Sequence, residues 1–361
     1  MNILIAYGGK SCEHDISIIT ACLAKGYFRG NILSVYFDKT NHPYLVGNDW
    51  TPKDHLTKKL NKSVTFLLGE GKIGVLKGKR MVATYPIDVV VNCCHGLNGE
   101  DGCIAALCQM SSIPLVGSDI ASSAIAMDKA LTKRVLSEAC IPVVDGVELT
   151  EKDLPNLSQC VERLGMPLIV KPAMLGSSIG VKICHNLDEL RLALTQAFGY
   201  CSNVVCEKAL TDFVELNCSV MRVKGNIETS MVDCPVTVND ILTFVDKYIS
   251  NEAYEKTPTD VADELKEQVS SLTAEIYAKL NFSGVIRVDY LYDKTTGKLF
   301  VNEINTTPGS LAFGLWEFKY SRTQYGEALV DQAIADYREM QQHTYTFDSG
   351  VLNGGNGIKK K

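Results

Sequence analysis

The sequence predicts an α/β domain built on a parallel sheet, followed by two modules of mixed α and β structure. The start of the chain supports the first part, because the strand NILIAYGGK, the helical stretch DISIITACLAKGYF and the strand NILSVYFD favour parallel strands covered by helices. The nearly continuous apolar run PIDVVVNCCHG is typical of a central parallel strand. Later pairs of alternating strands joined by turns predict hairpins in the other two modules.

Length and composition limit the class of protein. The 361 residues, 46% hydrophobic and 22% charged, suffice for two or three globular domains. A net charge of −6 gives no support for a nucleic-acid surface. The N-terminal segment lacks the basic stretch of a signal peptide, and no run reaches the ~18 apolar residues of a membrane helix. The thirteen cysteines form no CxxC pair, which predicts reduced, mostly buried thiols in a cytoplasmic protein.

Changes of pattern along the chain set the expected domains. Residues 1–123 hold the first strands, the polar insertion GNDWTPKDHLTKKLNKS, the strands VTFLLG, KIGVLKG and KRMVATY, and a last helix and strand, GEDGCIAALCQMSS and IPLVGSD. Residues 124–210 form the second module, which opens with one helix, SSAIAMDKALTKRVLSEAC. Residues 211–345 form the third. The tail 346–361, rich in Gly, Asn and Lys, is expected to be flexible.

A predicted hairpin in the third module has acidic side chains within apolar strands. In RVDYLYDKTTGKLFVNEIN the period of two places Arg287 and Asp289 on one face of the first strand, and Glu303 and Asn305 on one face of the second. Two carboxylates and an amide oxygen make a cluster suited to Mg²⁺. An ordinary solvated hairpin face fits the same residues, and this pattern alone does not decide between the two.

A glycine–serine loop in the second module has the composition of a phosphate site. The loop MLGSSIG, residues 174–180, offers backbone N–H groups and hydroxyls, although it is not a P-loop and a simple hairpin turn remains the alternative. Lys171 lies within the apolar strand PLIVKPA, where an uncompensated charge is costly. A buried phosphate would remove that cost. Lys129 is a second candidate, with a solvated helix lysine as its alternative.

Two further positions follow apolar strands. Glu207, in VVCEKAL, is a candidate for holding an adenine and ribose, and an edge-strand glutamate is the alternative. His95, in CCHGLNGEDG, follows the central strand at the edge where α/β sheets place their sites. A structural histidine is the alternative there.

The order of these motifs resembles that of the D-alanine–D-alanine ligases, a family of the ATP-grasp superfamily. The resemblance runs through GGKSCEHDIS, HGLNGEDG, AMDKALTK, VKPAMLGSSIGV, EKAL, RVDYL and NEINTTPGS, and covers about residues 1–318. It implies an N-terminal parallel-sheet domain followed by a two-module ATP-grasp fold. It also implies an ATP-dependent carboxylate–amine ligase of peptidoglycan precursor synthesis, acting in the cytoplasm as a homodimer.

The resemblance also implies site residues. The phosphates of ATP would meet the lysines Lys129, Lys171 and Lys247 and the loop serines Ser177 and Ser178; the adenine and ribose would meet Glu207, Ala209, Leu210 and Glu215. Two Mg²⁺ ions, with Mn²⁺ as the alternative metal, would be held by Asp289, Glu303 and Asn305. Arg287 would stabilise charge on an acyl phosphate and on the tetrahedral intermediate.

For the D-amino-acid substrates, the resemblance implies that Asp15 binds the first ammonium group and that His95 lies near the first carboxyl group. Ser17 matches the serine of the same N-terminal motif. Ser178 and Tyr248 would link Asp15 to a mobile loop, whose lysine–tyrosine pair matches Lys247 and Tyr248.

The chain departs from the family after Gly309. Gly314 and Leu315 stand at the offset where the family has a serine and a leucine that hold the second amino acid's carboxylate, and Ser310 is an open substitute for the lost hydroxyl. The acceptor therefore stays open among D-alanine, D-serine, D-lactate and other amines. A nucleotide-binding regulator without catalysis is an alternative from another functional class.

Overall fold

The structure is a computed structural model that describes residues 1–235, 261–344 and 346–350. The strands of this part of the chain form three sheets, one of eight strands and two of four. The first sheet contains parallel pairs, and the other two are antiparallel. The predicted combination of an α/β domain with two α+β modules is confirmed.

The first sheet has the order β6-β5-β4-β3-β2-β1-β7-β8. Its strands are β1 (Asn2–Gly8), β2 (Asn31–Phe37), β3 (Pro43–Val46), β4 (Ser63–Leu67), β5 (Lys72–Lys77), β6 (Arg80–Pro86), β7 (Val89–Asn92) and β8 (Leu115–Val116). Only β2, β1, β7 and β8 pair in parallel. Strands β3 to β6 extend the sheet by antiparallel pairing, because turns too short to hold a crossover join β4 to β5 and β5 to β6. The predicted parallel sheet is therefore a mixed one.

Two helices of the first domain connect its parallel strands. Its helical segments are α1 (His14–Ala24), a 3₁₀ turn (Lys25–Tyr27), α2 (Asp54–Thr57) and α3 (Cys103–Met110). Helix α1 lies between β1 and β2, and α3 lies between β7 and β8. Helix α2 lies within the predicted polar insertion. The core on one face of the sheet includes the buried residues Ile3, Ile5 and Val91.

The helix predicted from Ser122 is in fact two helices, α4 (Ile120–Met127) and α5 (Lys129–Glu138). They part at Asp128, whose backbone is non-helical (φ −92°, ψ 105°) and whose carboxylate accepts hydrogen bonds from the N–H groups of Ala130 and Leu131. An aspartate in this position caps the helix that follows it. The break makes Lys129 the first residue of α5.

The second sheet has the order β11-β10-β12-β9. Its elements are β9 (Gly146–Leu149), a 3₁₀ segment (Glu151–Asn156), α6 (Leu157–Leu164), β10 (Leu168–Pro172), β11 (Lys182–Cys184), α7 (Leu187–Phe198) and β12 (Val204–Lys208). Helices α6 and α7 pack on one face around buried Leu157, Leu190 and Leu194. The other face is left for the cleft described below.

The third sheet has the order β14-β13-β15-β16. It is built from β13 (Phe213–Val223), β14 (Asn226–Asp233), β15 (Ile286–Asp293) and β16 (Lys298–Asn305), with α8 (Asp263–Lys279) packed against it. The predicted β15–β16 hairpin is confirmed. A 3₁₀ segment (Gly309–Leu315) and α9 (Arg322–Gln341) follow, and buried Trp316 and Tyr325 join the core of the first domain.

No helix in residues 1–235, 261–344 and 346–350 is long and apolar enough to cross a bilayer. Of the tail predicted to be flexible, only residues 346–350 are described.

Candidate active site

Residues of all three sheet regions line a polar cavity of about 180 Å³. A second cavity of about 110 Å³ adjoins it. The two share a wall, formed by Lys129, Leu175, Glu215, Asp289 and Glu303. A ligand that spans this wall would have one end in each cavity.

The β15–β16 hairpin supplies the acidic side of the wall. Asp289 pairs in register with Glu303, and Arg287 pairs with Asn305. Arg287 donates to both oxygens of Asp289, from Nε at 2.6 Å and from Nη2 at 2.8 Å, and Asn305 Nδ2 donates to Asp289 Oδ2 at 3.0 Å. The predicted clustering of these four residues is confirmed.

Lys129 faces the hairpin from the start of α5. Its Nζ lies 2.8 Å from Glu303 Oε1 and donates to the Leu175 carbonyl at 2.6 Å. Burial alone would lower the pKa of Lys129, but the charge of Glu303 and the more distant charge of Glu13 raise it. The lysine is therefore cationic and ties the hairpin to the glycine–serine loop.

Lys171 is a buried strand lysine, as predicted, and its charge is compensated by protein groups. Its Nζ donates to Glu207 Oε2 at 3.0 Å and to Asn302 Oδ1 at 2.9 Å. Lys133 Nζ lies 3.1 Å from Glu207 Oε1. Burial would raise the pKa of Glu207, but Lys171 and Lys133 lower it, so the carboxylate is charged. Both oxygens of Glu207 are therefore paired with a lysine, Oε2 with Lys171 and Oε1 with Lys133.

The glycine–serine loop adopts an unusual backbone. Ser177 and Ser178 both have left-handed conformations, with φ of 53° and 57°, and such strain is concentrated at functional sites. A Cβ on Gly176 would lie 2.6 Å from Glu13 Oε2, so a larger residue at this position would have to displace the Glu13 carboxylate. Ser177 Oγ donates a hydrogen bond to Glu13 Oε1. Ser177 lines the larger cavity and Ser178 the smaller.

The structure does not place Asp15 in the cleft. Its side chain is 74% exposed, and Oδ1 lies 4.0 Å from Lys39 Nζ. Glu13, only 7% exposed, lines the larger cavity instead. Two residues correspond to about 200° around a helix, so the start of α1 points Glu13 inward and Asp15 outward. The N-terminal EHD motif therefore brings Glu13, not Asp15, to the glycine–serine loop. Glu13 contacts Ser177, and this contact stands in place of the predicted link from Asp15 to Ser178.

Ser17 and His95 both lie beside β7. Ser17 is fully buried, accepts from the Gly8 N–H at 2.7 Å and donates to the Cys93 carbonyl at 2.6 Å, so it holds two strand ends rather than lining a cavity. His95 lines the larger cavity, and its Nε2 lies 2.8 Å from Thr20 Oγ1. Burial, with a smaller effect of Arg287, lowers the pKa of His95 to about 4.

Glu100 is a further cleft residue, which the sequence interpretation did not single out. It accepts hydrogen bonds from the backbone N–H groups of Gly96, at 2.7 Å, and Thr307, at 3.1 Å. Burial, reinforced by the charge of Glu13, raises the pKa of Glu100 to about 8. Glu100 therefore ties the histidine loop of the first domain to the segment after β16.

The remaining predicted nucleotide residues line the smaller cavity. Ala209 and Leu210 follow β12, and Glu215 lies on β13 between the two cavities. Lys247 and Tyr248 lie outside the described residues.

The β15–β16 hairpin supplies the donors for the predicted metal. In the described residues no three His, Cys, Asp or Glu side chains form a metal-binding group. Asp289 and Glu303 supply two carboxylates beside the amide of Asn305. This set fits Mg²⁺, which is commonly held by one or two carboxylates and takes its other ligands from water and substrate phosphates. Arg287 forms an ion pair with Asp289, and Lys129 forms one with Glu303.

Family models match most of the chain, and known proteins match nearly all of it. A model described as D-ala D-ala ligase N-terminus matches residues 2–118, and one described as D-ala D-ala ligase C-terminus matches residues 135–333. A D-alanine–D-alanine ligase of Thermosipho africanus is 32% identical over 98% of this chain and 98% of its own length.

Solved structures share the fold. The D-alanine–D-alanine ligase from Coxiella burnetii has a TM-score of 0.81 and 25% identity, and the match covers 95% of this chain and 96% of that one. The VanG D-Ala:D-Ser ligase from Enterococcus faecalis has a TM-score of 0.74 and 23% identity, with 93% and 99% covered. The second likeness shows a common fold only.

Proposed function

The chain belongs to the D-alanine–D-alanine ligase family, and we propose that it joins two D-amino acids in an ATP-dependent reaction. The observation that supports this best is the wall between the two cavities, where cationic Lys129 meets Glu303 and Asp289. Nucleotide phosphates placed at this wall would face substrates in the larger cavity. The dipeptide would serve peptidoglycan precursor synthesis in the cytoplasm.

The smaller cavity is the proposed site of the adenine and ribose of ATP, with its phosphates at the shared wall. Ala209, Leu210 and Glu207 line this cavity where an adenine and ribose would sit. Lys171 and Lys129 supply positive charge beside the left-handed serines of the glycine–serine loop, whose backbone N–H groups suit phosphate oxygens. Lys247 is proposed to reach the same phosphates from outside the described residues.

Two Mg²⁺ ions, or Mn²⁺ in their place, would be held by Asp289, Glu303 and Asn305. Bound there, the metal would neutralise phosphate charge during transfer. Arg287 and Lys129, which pair with two of these residues, are proposed to contact the reacting groups and the nucleotide.

The first D-amino acid fits the larger cavity, between Glu13, Ser177 and His95. Glu13 is proposed to bind its ammonium group, the role that the resemblance assigned to Asp15, because Glu13 is the carboxylate of this motif that lines the cavity. Neutral His95 would lie near the carboxyl group. Tyr248 stays a predicted partner of this site.

Two steps follow from this placement. The first carboxylate attacks the γ-phosphate of ATP, which gives an acyl phosphate and ADP. The amine of the second amino acid then attacks the acyl carbon, and phosphate leaves. Arg287 stabilises the negative charge that builds up in both steps, and exclusion of water protects the acyl phosphate from hydrolysis.

The proposed organisation keeps an N-terminal substrate domain of residues 1–123, a central module of 124–210 and a metal-binding module of 211–345. A homodimer is proposed from the family alone.

A second candidate is a ligase with another acceptor, such as D-serine or D-lactate. Gly314 lacks the hydroxyl expected at that position, and a Cβ there would meet no heavy atom within 4 Å. The lost side chain leaves open space next to Leu315, so the acceptor's carboxylate loses one hydrogen-bond donor. Ser310 is the proposed source of a substitute hydroxyl.

The test measures ADP and phosphate release with ATP, Mg²⁺ and D-alanine, with L-alanine as the control. D-Serine and D-lactate are then offered as acceptors with D-alanine as donor. D-Alanine-dependent dipeptide supports the main proposal, and preferred coupling to another acceptor supports the second. ATP binding without amine-dependent ADP formation would contradict both and favour a regulator.

A further inference from the structure

Cys160 and Cys206 form a close thiol pair that the proposed reaction does not use. Their sulfur atoms lie 3.7 Å apart in a hydrogen bond, and the residues are 6% and 0% exposed. Cys160 lies on helix α6 and Cys206 on strand β12. In the described part of the chain no other thiol hydrogen bond joins two cysteines.

The side chains around the two sulfur atoms are apolar. Both belong to the apolar core between the second sheet and its helices, with Leu157 and Leu164 beside them. A disulfide has an S–S length of about 2.05 Å, so the sulfurs must approach by roughly 1.6 Å. Helix α6 is short and lies at the surface, with exposed Ser158, Gln159, Glu162 and Arg163, and short surface elements open locally more readily than a core strand.

The position of Cys206 couples this pair to the cleft. Successive strand residues point to opposite faces of a sheet, so Cys206 faces the helices while Glu207 faces the cleft. Glu207 holds Lys171 at 3.0 Å and Lys133 at 3.1 Å. Any displacement of β12 toward α6 therefore moves the carboxylate that orients both lysines.

We propose that Cys160 and Cys206 form a reversible disulfide on exposure to a peroxide, and that this bond weakens nucleotide binding. The Cys160 thiolate attacks a peroxide oxygen, giving a sulfenic acid and water with H₂O₂ as the oxidant. The Cys206 sulfur then attacks that sulfenic sulfur and displaces hydroxide. The hydroxide takes up the Cys206 proton and leaves as a second water. Two thiols and one H₂O₂ thus give one disulfide and two waters.

Position favours Cys160 as the attacking group. It lies on the short surface helix α6, whereas Cys206 lies on a strand and is fully buried, so a peroxide reaches Cys160 first. The thiolate is the reactive form of cysteine. The nucleotide consequence rests on the proposed function, whereas formation of the disulfide does not.

The test treats the full-length protein with H₂O₂ and then maps disulfides by mass spectrometry of peptides made without reduction. ADP with Mg²⁺ is titrated by calorimetry before oxidation, after it, and after dithiothreitol. We expect a peptide pair linked through Cys160 and Cys206, and an affinity loss of about fivefold or more, the lower end of coupling between two sites, reversed by dithiothreitol. Cys160→Ser and Cys206→Ser should keep their affinity, while Cys12→Ser, at an exposed cysteine, should respond like the wild type.

Each contrary result has a distinct meaning. Oxidised wild-type protein without the linked peptides overturns the disulfide, and this measurement needs no variant to fold. Linked peptides with unchanged ADP affinity overturn the coupling to nucleotide. Failure of the untreated protein to bind ADP contradicts the proposed function, and the peptide map still decides the disulfide.

Discussion

The most discriminating substitution is Glu13→Gln, paired with Asp15→Asn as its control. Both changes remove one carboxylate charge from the same motif and nearly preserve side-chain shape. Glu13 is buried against Ser177 in the larger cavity, whereas Asp15 is exposed beside Lys39. The proposed site therefore predicts opposite outcomes two residues apart.

The expected size follows from burial. A hydrogen bond that involves a charged group contributes about 1.5–3 kcal/mol, and each 1.36 kcal/mol is tenfold. Glu13→Gln should therefore lower kcat/KM for the first D-amino acid by about 10–150-fold. An exposed ion pair contributes about 0–1 kcal/mol, so Asp15→Asn should change kcat/KM by less than about fivefold.

The assay couples ADP release to a spectrophotometric readout at saturating ATP while D-alanine is varied. Thermal unfolding of both variants checks that the fold is kept. A large loss in Asp15→Asn with full activity in Glu13→Gln would refute the assignment and return the ammonium site to Asp15.

Four other substitutions probe separate features. Glu100→Gln should flatten the pH dependence of the free energy of unfolding between about pH 4.5 and 8, measured by chemical denaturation across this range. The folded-state pKa of Glu100 is raised from 4.5 to about 8. Its stabilising contribution is therefore complete below pH 4.5 and falls as pH rises. Gly176→Ala should lower ADP-release activity by about tenfold or more, because its Cβ would lie 2.6 Å from Glu13 Oε2. The control Gly26→Ala, whose Cβ would meet no heavy atom within 4 Å, should keep its activity. Equal losses in the two variants would contradict the steric argument. Asp289→Asn should raise the Mg²⁺ concentration for half-maximal activity by at least about tenfold, since even residues behind metal ligands have effects of that size; an unchanged Mg²⁺ titration would remove Asp289 from the metal site. Gly314→Ser should lower the acceptor KM by about tenfold through one new hydrogen bond to a carboxylate, measured by dipeptide formation; an unchanged KM for every acceptor would place the carboxylate elsewhere.

Much of the fold follows from local pattern. The alternation of apolar residues predicted β15 and β16, and their register brings Asp289 opposite Glu303 as expected. The pairing direction of β3 to β6 in the first sheet did not follow from local pattern, because the apolar pattern of these strands is compatible with parallel or antiparallel pairing. Their short turns decide for antiparallel pairing. The break at Asp128 was missed because Ser122 to Cys140 continues the helical pattern through it, and only the capping carboxylate marks the new start.

The site was predictable where a motif fixes a side chain on a regular element, and less so in loops. Lys129, Lys171 and Asp289 lie on helix or strand positions and line the cleft. Glu13 was missed because two acids stand in one motif and the start of α1 decides which one faces inward. Glu100 lies in the same HGLNGEDG segment as His95, but its role depends on a tertiary contact with Thr307 that no local pattern contains.

The central claim is that a carboxylate of the first D-amino acid attacks the γ-phosphate of ATP in this cleft. D-Alanine labelled with ¹⁸O in its carboxyl group, incubated with the protein, ATP and Mg²⁺, tests it directly. The proposed reaction predicts that the released inorganic phosphate gains one ¹⁸O atom for each dipeptide formed. Phosphate without label, in a reaction that still forms dipeptide, would contradict the acyl-phosphate mechanism.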